Sequence, residues 1–125
     1  MNKTNIAIIG IGSNIDAESN IQAMLDILGD AMKITGVSSF IKTKPLGDIK
    51  QPDFINGALK VETLMEKEEL RKFLKEIENE LGRDRTAPKF GPRTIDLDIV
   101  VWNGEIVDND YYTRDFLRNS IKEIS

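Results

Sequence analysis

The sequence predicts an α+β protein with the ferredoxin-like order βαββαβ, in which an antiparallel sheet carries its helices on one face. Apolar residues recur at helical spacing in two segments, and four other segments have the β-branched content or the alternation of strands. These segments follow one another as strand, helix, strand, strand, helix, strand. All of them lie within 125 residues, so a single domain over 1–125 is expected.

The first predicted strand, 5–11, is apolar at nearly every position, which favours a central place in the sheet. A Gly-Ile-Gly-Ser-Asn segment follows at 10–14. It lacks the third glycine of a dinucleotide-binding pattern, so a tight turn into a helix is expected, with Asn14 or Asp16 as the cap. The helix has an apolar stripe and a predicted end at Gly29. The stripe consists of Ala17, Ile21, Met24, Leu25 and Leu28.

A second strand is predicted over 33–43, and a loop with two prolines and one glycine follows at 44–53. The third predicted strand starts near Phe54. Its alternation puts Ile55, Leu59 and Val61 on one face, and Phe54, Asn56 and Ala58 on the other. An aromatic ring beside an asparagine amide suits a flat heterocycle with polar edges. An ordinary edge position remains an alternative.

The second predicted helix begins at a capping box, Thr63-Leu-Met-Glu66, and ends at Gly82. Its apolar stripe consists of Leu70, Phe73, Leu74, Ile77 and Leu81. Residues 83–93 then form a loop with four cations and one acid, in a chain that is acidic overall. Arginine binds phosphate oxygens with two donors at once, so this loop is a candidate phosphate site, although a solvated loop is the simpler reading.

The last predicted strand contains an Asp-x-Asp pair. Ile95, Leu97, Ile99 and Val101 are expected to face the core. Asp96 and Asp98 then share the other face, roughly 7 Å apart along the strand. Two neighbouring carboxylates on an apolar strand repel each other, and a bound Mg²⁺ would offset that cost. A bare Asp-x-Asp also occurs on solvated edge strands, but Arg93 and the basic loop favour a metal–polyphosphate site.

The composition excludes several kinds of chemistry. The chain has no cysteine and no histidine, which removes thiolate or imidazole metal ligands and nucleophiles that depend on histidine. A net charge of −4 argues against nucleic acid as a partner. No segment has the apolar length of a membrane span and no signal peptide precedes the first strand, so a cytoplasmic protein without a membrane partner is expected.

The motifs together resemble those of the 6-hydroxymethyl-7,8-dihydropterin pyrophosphokinase family. The resemblance rests on Ile-Gly-Ser-Asn, Thr-Lys-Pro-Leu-Gly, Gln-Pro-Asp-Phe-Ile-Asn, Gly-Arg-x-Arg and Gly-Pro-Arg-Thr-Ile-Asp-Leu-Asp, in that order, and extends from about Ile8 to Val107. It implies transfer of pyrophosphate from ATP to the hydroxymethyl oxygen of the pterin, with release of AMP. It also implies two Mg²⁺ ions between the triphosphate and Asp96 and Asp98.

The resemblance further implies which residues bind each substrate. The pterin would lie against Thr43, Pro45, Leu46, Phe54 and Asn56. The nucleotide would contact Glu78, Arg83, Arg85, Arg93, Ile99 and Thr113, and the basic loop would close over it. Arg83, Arg93, Asp96 and Asp98 would be the catalytic residues. ATP and the pterin are the expected partners of a monomer or weak homodimer.

The chain departs from the family mainly near its C-terminus. Phe90 stands where the family often has tryptophan, and Phe116 stands where it has a histidine that touches the nucleotide. Further along, the family has an arginine and an aromatic residue, and this chain has Lys122 and Ile124 at about those places. The sequence also ends well before typical members do. A slow enzyme with weak nucleotide affinity is therefore expected. A non-catalytic relative that binds nucleotide, pterin or protein, and a simple association module, remain alternatives.

Overall fold

The computed structural model of the chain describes residues 3–47, 49–84, 86 and 91–125. Its elements confirm the predicted α+β class and the ferredoxin-like order, with additions towards the C-terminus. In chain order they are β1 (Asn5–Ser13), α1 (Ala17–Ala31), β2 (Lys33–Val37), β3 (Ile41–Thr43), β4 (Phe54–Thr63), α2 (Lys67–Glu80), β5 (Asp96–Trp102), β6 (Glu105–Ile106), α3 (Asp110–Thr113) and α4 (Asp115–Ile124).

The strands form one antiparallel sheet in the order β2-β4-β1-β5-β6, and β3 also pairs with β4. The two helices α1 and α2 cover one face, where the alternating apolar residues of β1, β4 and β5 form the main core with both helical stripes. This core contains Ala7, Ile9, Ile11, Met24, Leu28, Leu59, Val61, Leu70, Leu74, Ile77, Ile95 and Leu97. Each fully buried large aliphatic side chain contributes about 1.5–3 kcal/mol, so this face dominates the stability.

A bulge in β5 reverses the alternation at its end. Ile9 pairs with Ile99 whereas Ile8 pairs with Val101, so β5 carries one extra residue, Val100. Side chains after an extra residue point to the opposite face from the one that strict alternation predicts. The expectation that Val101 faces the main core is therefore wrong: Val101 packs with Val100 on the second face. Ile99 does pack against the main core, as predicted.

The predicted strand 33–43 is interrupted in the middle. Ser38 is buried, and its backbone N–H donates to the Ala58 carbonyl at 2.9 Å while its Oγ accepts the Ala58 N–H at 2.8 Å. The Phe40 ring lies against Gly57, where an added Cβ would come within 2.6 Å of two ring atoms. A serine side chain thus replaces one regular ladder bond, which separates β2 from β3 along the same edge of β4.

The second face of the sheet is partly covered by a helix, α4, that the predicted order did not include. Ile8, Ala58 and Val100 of the sheet pack there against Leu117 and Ile121 of α4. Glycines in the sheet permit the close approach. A Cβ at position 10 would lie 3.3 Å from Leu117 Cδ1, and one at position 36 would lie 3.3 Å from the Cβ of residue 124. The described residues leave the rest of this face open.

Several helix ends differ from the expectations. Asp16 precedes α1 with φ 44° and makes no side-chain cap bond, and α1 continues through Gly29 to Ala31. The capping box of α2 is formed by Glu66 and Glu69 and does not involve Thr63, because the helix begins only at residue 67. In the described part of the chain, no helix combines the length and apolar character that a membrane span requires.

Candidate active-site cleft

The open part of the second face forms a cleft of about 790 Å³ beside the start of α4. Most of the residues that the sequence singled out lie on its walls, although they come from distant parts of the chain. They are Thr43, Leu46, Phe54, Asn56, Arg83, Arg93, Asp96, Asp98 and Thr113. Candidates for binding the heterocycle and candidates for binding the polyphosphate therefore share one cavity, which is the arrangement that transfer between two substrates requires.

The remaining candidates lie elsewhere. Ile99 lines a smaller neighbouring pocket of about 290 Å³, which Asp98 also borders. Pro45 lies in the loop between Thr43 and β4 but is not on the cleft wall. Arg85 lies outside the described residues, as does Phe90, so the structure does not bear on either.

Glycines oppose the two aspartates on the floor of the cleft. In the β1–β5 register Gly10 pairs with Asp98 and Gly12 pairs with Asp96. Paired residues of antiparallel strands point to the same face. An added Cβ at Gly10 would lie 3.3 Å from Leu117 Cδ1, and one at Gly12 would lie 3.0 Å from Asn56 Oδ1, so a side chain at either position would press on residues of the cleft wall. The prediction that 10–14 is a turn is wrong for both glycines, since β1 continues to Ser13 and keeps them inside the sheet.

The two aspartates differ in their surroundings. Asp96 Oδ1 accepts a hydrogen bond from Arg83 Nη1 at 3.1 Å. Within the described residues, Asp98 makes no such ion pair. Burial, and then the negative charges of Asp96, Asp108 and Glu78, raise the pKa of Asp98 to about 7, against a smaller opposing effect of Lys75. Within the described part of the chain, the charge of Asp98 is thus compensated only in part, by Lys75.

A magnesium ion fits this pair of carboxylates. Mg²⁺ typically takes one or two carboxylates and completes its octahedral shell with water and phosphate oxygens. Asp96 and Asp98 supply two carboxylates on one face, and the described residues contain no cluster of three or more His, Cys, Asp or Glu that would make an all-protein cage. A divalent cation would stabilise the ionised form of Asp98, which burial and then the neighbouring carboxylates disfavour.

Glu78 lies behind the cleft, fully buried. Its Oε2 accepts the backbone N–H of Leu97 at 2.8 Å, and its Oε1 lies 3.4 Å from Arg83 Nη1. Arg83 therefore bridges Glu78 and Asp96. Glu78 links α2 to the residue between the two aspartates and orients the arginine, which is a positioning role. Its predicted contact with a nucleotide stays a prediction.

The heterocycle candidates meet where β3 pairs with β4. Thr43 pairs with Phe54 and Ile41 pairs with Asn56 in this register. Asn56 is nearly buried, and its Nδ2 donates a short hydrogen bond to Thr43 Oγ1. The amide is thus held in a fixed orientation beside the Phe54 ring, as a polar group that reads the edge of a stacked ligand needs to be.

Asn14 joins the two loops that flank the cleft, and the sequence did not suggest this. It was expected to cap a helix, but its Nδ2 donates to Gln51 Oε1 at 2.8 Å and to the Pro52 carbonyl at 2.9 Å. Its Oδ1 accepts the Arg93 N–H at 2.9 Å, and its own N–H donates to the Arg93 carbonyl at 3.0 Å. The only available signal was its place in the Ile-Gly-Ser-Asn motif, because its partners are remote in sequence.

Replacing Asn14 with alanine is expected to weaken both substrate sites together. Loss of three side-chain hydrogen bonds of a nearly buried amide costs about 1–3 kcal/mol and frees the 44–53 loop from Arg93. The catalytic efficiency kcat/KM should fall by about ten-fold or more through both substrates' KM values. Asn20→Ala, which removes one exposed side-chain bond at the start of α1, is the matched control. A loss confined to one substrate would contradict the linking role.

Comparisons with known proteins agree with this geometry. A family model described as 7,8-dihydro-6-hydroxymethylpterin-pyrophosphokinase (HPPK) matches residues 8–125. The chain is 40% identical over 109 residues to the 2-amino-4-hydroxy-6-hydroxymethyldihydropteridine pyrophosphokinase of Bacillus subtilis, covering 85% of this chain and 65% of that protein. It is 38% identical over 110 residues to the protein of the same name from Haemophilus influenzae, covering 86% and 68%.

A longer relative shows the same similarity. The Bifunctional protein FolKE of Lactococcus lactis subsp. cremoris is 42% identical over 106 residues, which cover 82% of this chain and 30% of that protein. The chain thus spans about two thirds of the length of the Bacillus and Haemophilus relatives and under a third of this one. Because the family model matches nearly the whole sequence, the chain belongs to the 7,8-dihydro-6-hydroxymethylpterin-pyrophosphokinase family.

Proposed function

We propose that this chain transfers pyrophosphate from ATP to 6-hydroxymethyl-7,8-dihydropterin, giving AMP and the pterin diphosphate for folate biosynthesis. The observation that carries the proposal is the single cleft in which Asp96 and Asp98 lie with Phe54 and Asn56. Membership of the family and the printed names of the relatives support it. No observation favours a non-catalytic binding or association module.

Asp96 and Asp98, the acidic pair, would hold two Mg²⁺ ions. Mg²⁺ held there would supply charge neutralisation for the phosphates and so would favour displacement at phosphorus. Asp96 is oriented by Arg83, and Asp98 projects from the same face of β5 opposite Gly10. The carboxylates therefore need no rearrangement of the sheet to act together. Two carboxylates with few protein partners suit a metal that also binds substrate oxygens.

The reaction consists of one displacement at the β-phosphorus. A bond forms between the hydroxymethyl oxygen and the β-phosphorus, and the bond from the β-phosphorus to the oxygen of the α-phosphate breaks. AMP leaves with that oxygen, and the hydroxyl proton is lost to solvent. Arg83 and Arg93 would bind phosphate oxygens and align them, which is the main contribution that a protein makes to this kind of transfer. Thr113 would add a hydroxyl at the cleft wall.

The pterin would lie on the other side of the cleft. Phe54 offers a ring face for stacking, and Asn56 offers an amide for the polar edge of the pterin. Thr43, Pro45 and Leu46 would enclose it from the loop before β4. Support comes from the position of Thr43 and Leu46 on the cleft wall beside Phe54. The nucleotide base would then use the smaller pocket beside Ile99.

The remaining features of the proposal concern partners and location. A cytoplasmic monomer or weak homodimer is proposed, with ATP and the pterin as its partners and without nucleic acid or membrane. The acidic net charge of −4 supports the absence of nucleic acid.

The decisive test of the function is the identity of the nucleotide product. The purified chain is incubated with ATP, Mg²⁺ and 6-hydroxymethyl-7,8-dihydropterin, and the nucleotides are separated by ion-exchange chromatography. AMP is expected, equal in amount to the pterin diphosphate and absent without pterin. ADP formed only with pterin would mean simple phosphoryl transfer. Binding of both ligands without AMP would identify a non-catalytic relative.

Asn56→Ala is expected to weaken pterin binding much more than MgATP binding. The substitution removes the amide that is held by Thr43 and leaves the polar edge of the ligand without a partner, at a cost of about 1–3 kcal/mol. Calorimetry with each ligand separately gives the two affinities. Asn119→Ala, at an exposed position of α4, is the matched control. Equal losses for both ligands would indicate that Asn56 has only a structural role.

A further inference from the structure

Arg114 is a cleft residue to which neither the motifs nor the predicted site assigned a role. It lies between α3 and α4 and lines the same cavity as the acidic pair. Its backbone position is well defined, because its N–H donates to the Asp110 carbonyl at 3.0 Å and its carbonyl accepts the Leu117 N–H at 3.1 Å. The main chain thus holds this arginine at the first turn of α4.

The packing of α4 places Arg114 near the part of the sheet that carries Asp98. Leu117 lies over Gly10, where an added Cβ would be 3.3 Å from its Cδ1. Gly10 pairs with Asp98, so the first turn of α4 stands over the row of the sheet that contains this aspartate. Arg114 is the N-cap residue of α4, with an extended backbone at φ −121° and ψ 105°, and it lines the cavity that Asp98 also lines.

Among the described residues, the guanidinium of Arg114 is less engaged by other protein groups than those of Arg83 and Arg93. Arg83 is bound to Asp96 and Glu78. Arg93 donates from Nη1 to the carbonyls of two neighbouring residues, 91 and 92. Among the described residues, Arg114 makes one long ion pair, in which its Nε lies 3.7 Å from Asp110 Oδ2, and both side chains are more than a third exposed. Such an exposed pair contributes about 0–1 kcal/mol and is easily exchanged for a phosphate.

We propose that Arg114 binds the terminal phosphates of the nucleoside triphosphate and holds the pyrophosphoryl group above Asp98. The inference rests on the proposed function, because it specifies how that substrate is bound. The terminal phosphates are favoured over the nucleoside because Arg114 lines the larger cleft and does not line the smaller pocket beside Ile99. Two parallel N–H donors on one side match two phosphate oxygens, which an ammonium group cannot do.

The test compares nucleotides that differ only in their terminal phosphates. The Kd values of MgATP and of AMP are measured by calorimetry, without pterin, for the parent chain, Arg114→Gln and Arg114→Lys. We expect Arg114→Gln to raise the Kd of MgATP by about ten-fold or more and to change the Kd of AMP by less than about two-fold. Arg114→Lys should recover part of the MgATP affinity. Magnesium tripolyphosphate, used as a competitor, should lose potency in parallel with MgATP.

Arg118→Gln is the matched control because it removes an arginine of α4, one turn beyond Arg114, that does not line the cleft. Arg118 donates to the Tyr111 carbonyl at 2.8 Å and pairs with Asp115, so its loss reports the effect of loosening α4. It should lower the Tm without changing the ratio of MgATP to AMP affinity. If Arg114→Gln does not fold, the test relies on Arg114→Lys, which keeps the positive charge but loses the paired donors. This variant must then have a lower affinity for MgATP than the parent chain and an unchanged affinity for AMP.

The outcomes separate this inference from the proposed function. Unchanged MgATP affinity in Arg114→Gln, or equal losses for MgATP and AMP, would overturn the role of Arg114 even if the parent chain forms AMP. A selective loss of MgATP affinity would support that role even if the parent forms no AMP, which would refute the function alone. A parent chain that does not bind MgATP would overturn both.

Discussion

Asp96→Asn and Asp98→Asn are each expected to reduce AMP formation by at least about a thousand-fold, equivalent to about 4 kcal/mol of activation free energy. Both side chains lie on the cleft floor opposite glycines, outside the main core, so the fold should survive either change. An asparagine keeps the shape and one oxygen but loses the negative charge that a hard cation requires. Both the Mg²⁺-dependent ATP affinity and kcat should decrease.

The measurement is single-turnover AMP formation, with calorimetry of ATP in the presence and absence of Mg²⁺. Asp84→Asn is the matched control, because Asp84 belongs to the adjacent loop and, within the described part of the chain, its carboxylate bonds to Thr86. The control should keep at least about half of the parental activity, since exposed loop positions contribute little. Parental Mg²⁺-dependent binding in either Asp96→Asn or Asp98→Asn would show that the acidic pair is not the metal site.

The same substitution at Asp98 should change the stability in a direction that its pKa dictates. Burial and neighbouring carboxylates raise the pKa of Asp98 from 3.8 to about 7, so between these values the folded state binds more protons than the unfolded state. The contribution of Asp98 to the free energy of unfolding should therefore fall as the pH rises from about 4 to about 7. Without Mg²⁺ at pH 8, Asp98→Asn should have a higher Tm than the parent, and at pH 4 this advantage should disappear. A lower Tm for Asp98→Asn at pH 8 would refute the repulsion argument.

Glu78→Ala is expected to lower the free energy of unfolding by about 3–5 kcal/mol, the usual cost of breaking a buried, hydrogen-bonded ion pair by removing one partner. The side chain is fully buried, accepts the Leu97 N–H and lies beside Arg83. Its loss leaves a buried backbone donor without an acceptor and releases the arginine that orients Asp96. Activity should fall with stability, because β5 and Arg83 lose their common support.

Urea unfolding of Glu78→Ala, Glu78→Gln and Glu76→Ala would distinguish these contributions. Glu76 is exposed on α2 and should change stability by less than about 0.5 kcal/mol. Glu78→Gln keeps an acceptor for Leu97 but lacks the charge for Arg83, so an intermediate loss is expected. If Glu78→Ala were as stable as Glu76→Ala but bound MgATP weakly, Glu78 would act on the nucleotide directly.

The sequence by itself was sufficient for features that depend on local periodicity. Strand alternation put Asp96 and Asp98 on one face of β5, and Phe54 and Asn56 on one face of β4, as the structure has them. Helical stripes identified α1 and α2, and the order of the elements identified the fold. Each of these inferences needs only neighbours within one element, whose backbone geometry fixes which side chains share a face.

Only the tertiary structure decided the features that depend on residues remote in sequence. Asn14 bonds to Arg93, 79 positions away, and Glu78 to Leu97, 19 positions away, so neither role follows from local pattern. The extra residue at Val100 changes the face of the residue after it, through a register shift that forms only when β1 pairs with β5. The docking of α4 likewise needs glycines in other strands. Packing partners supply these interactions, and a single sequence does not state which segments become neighbours.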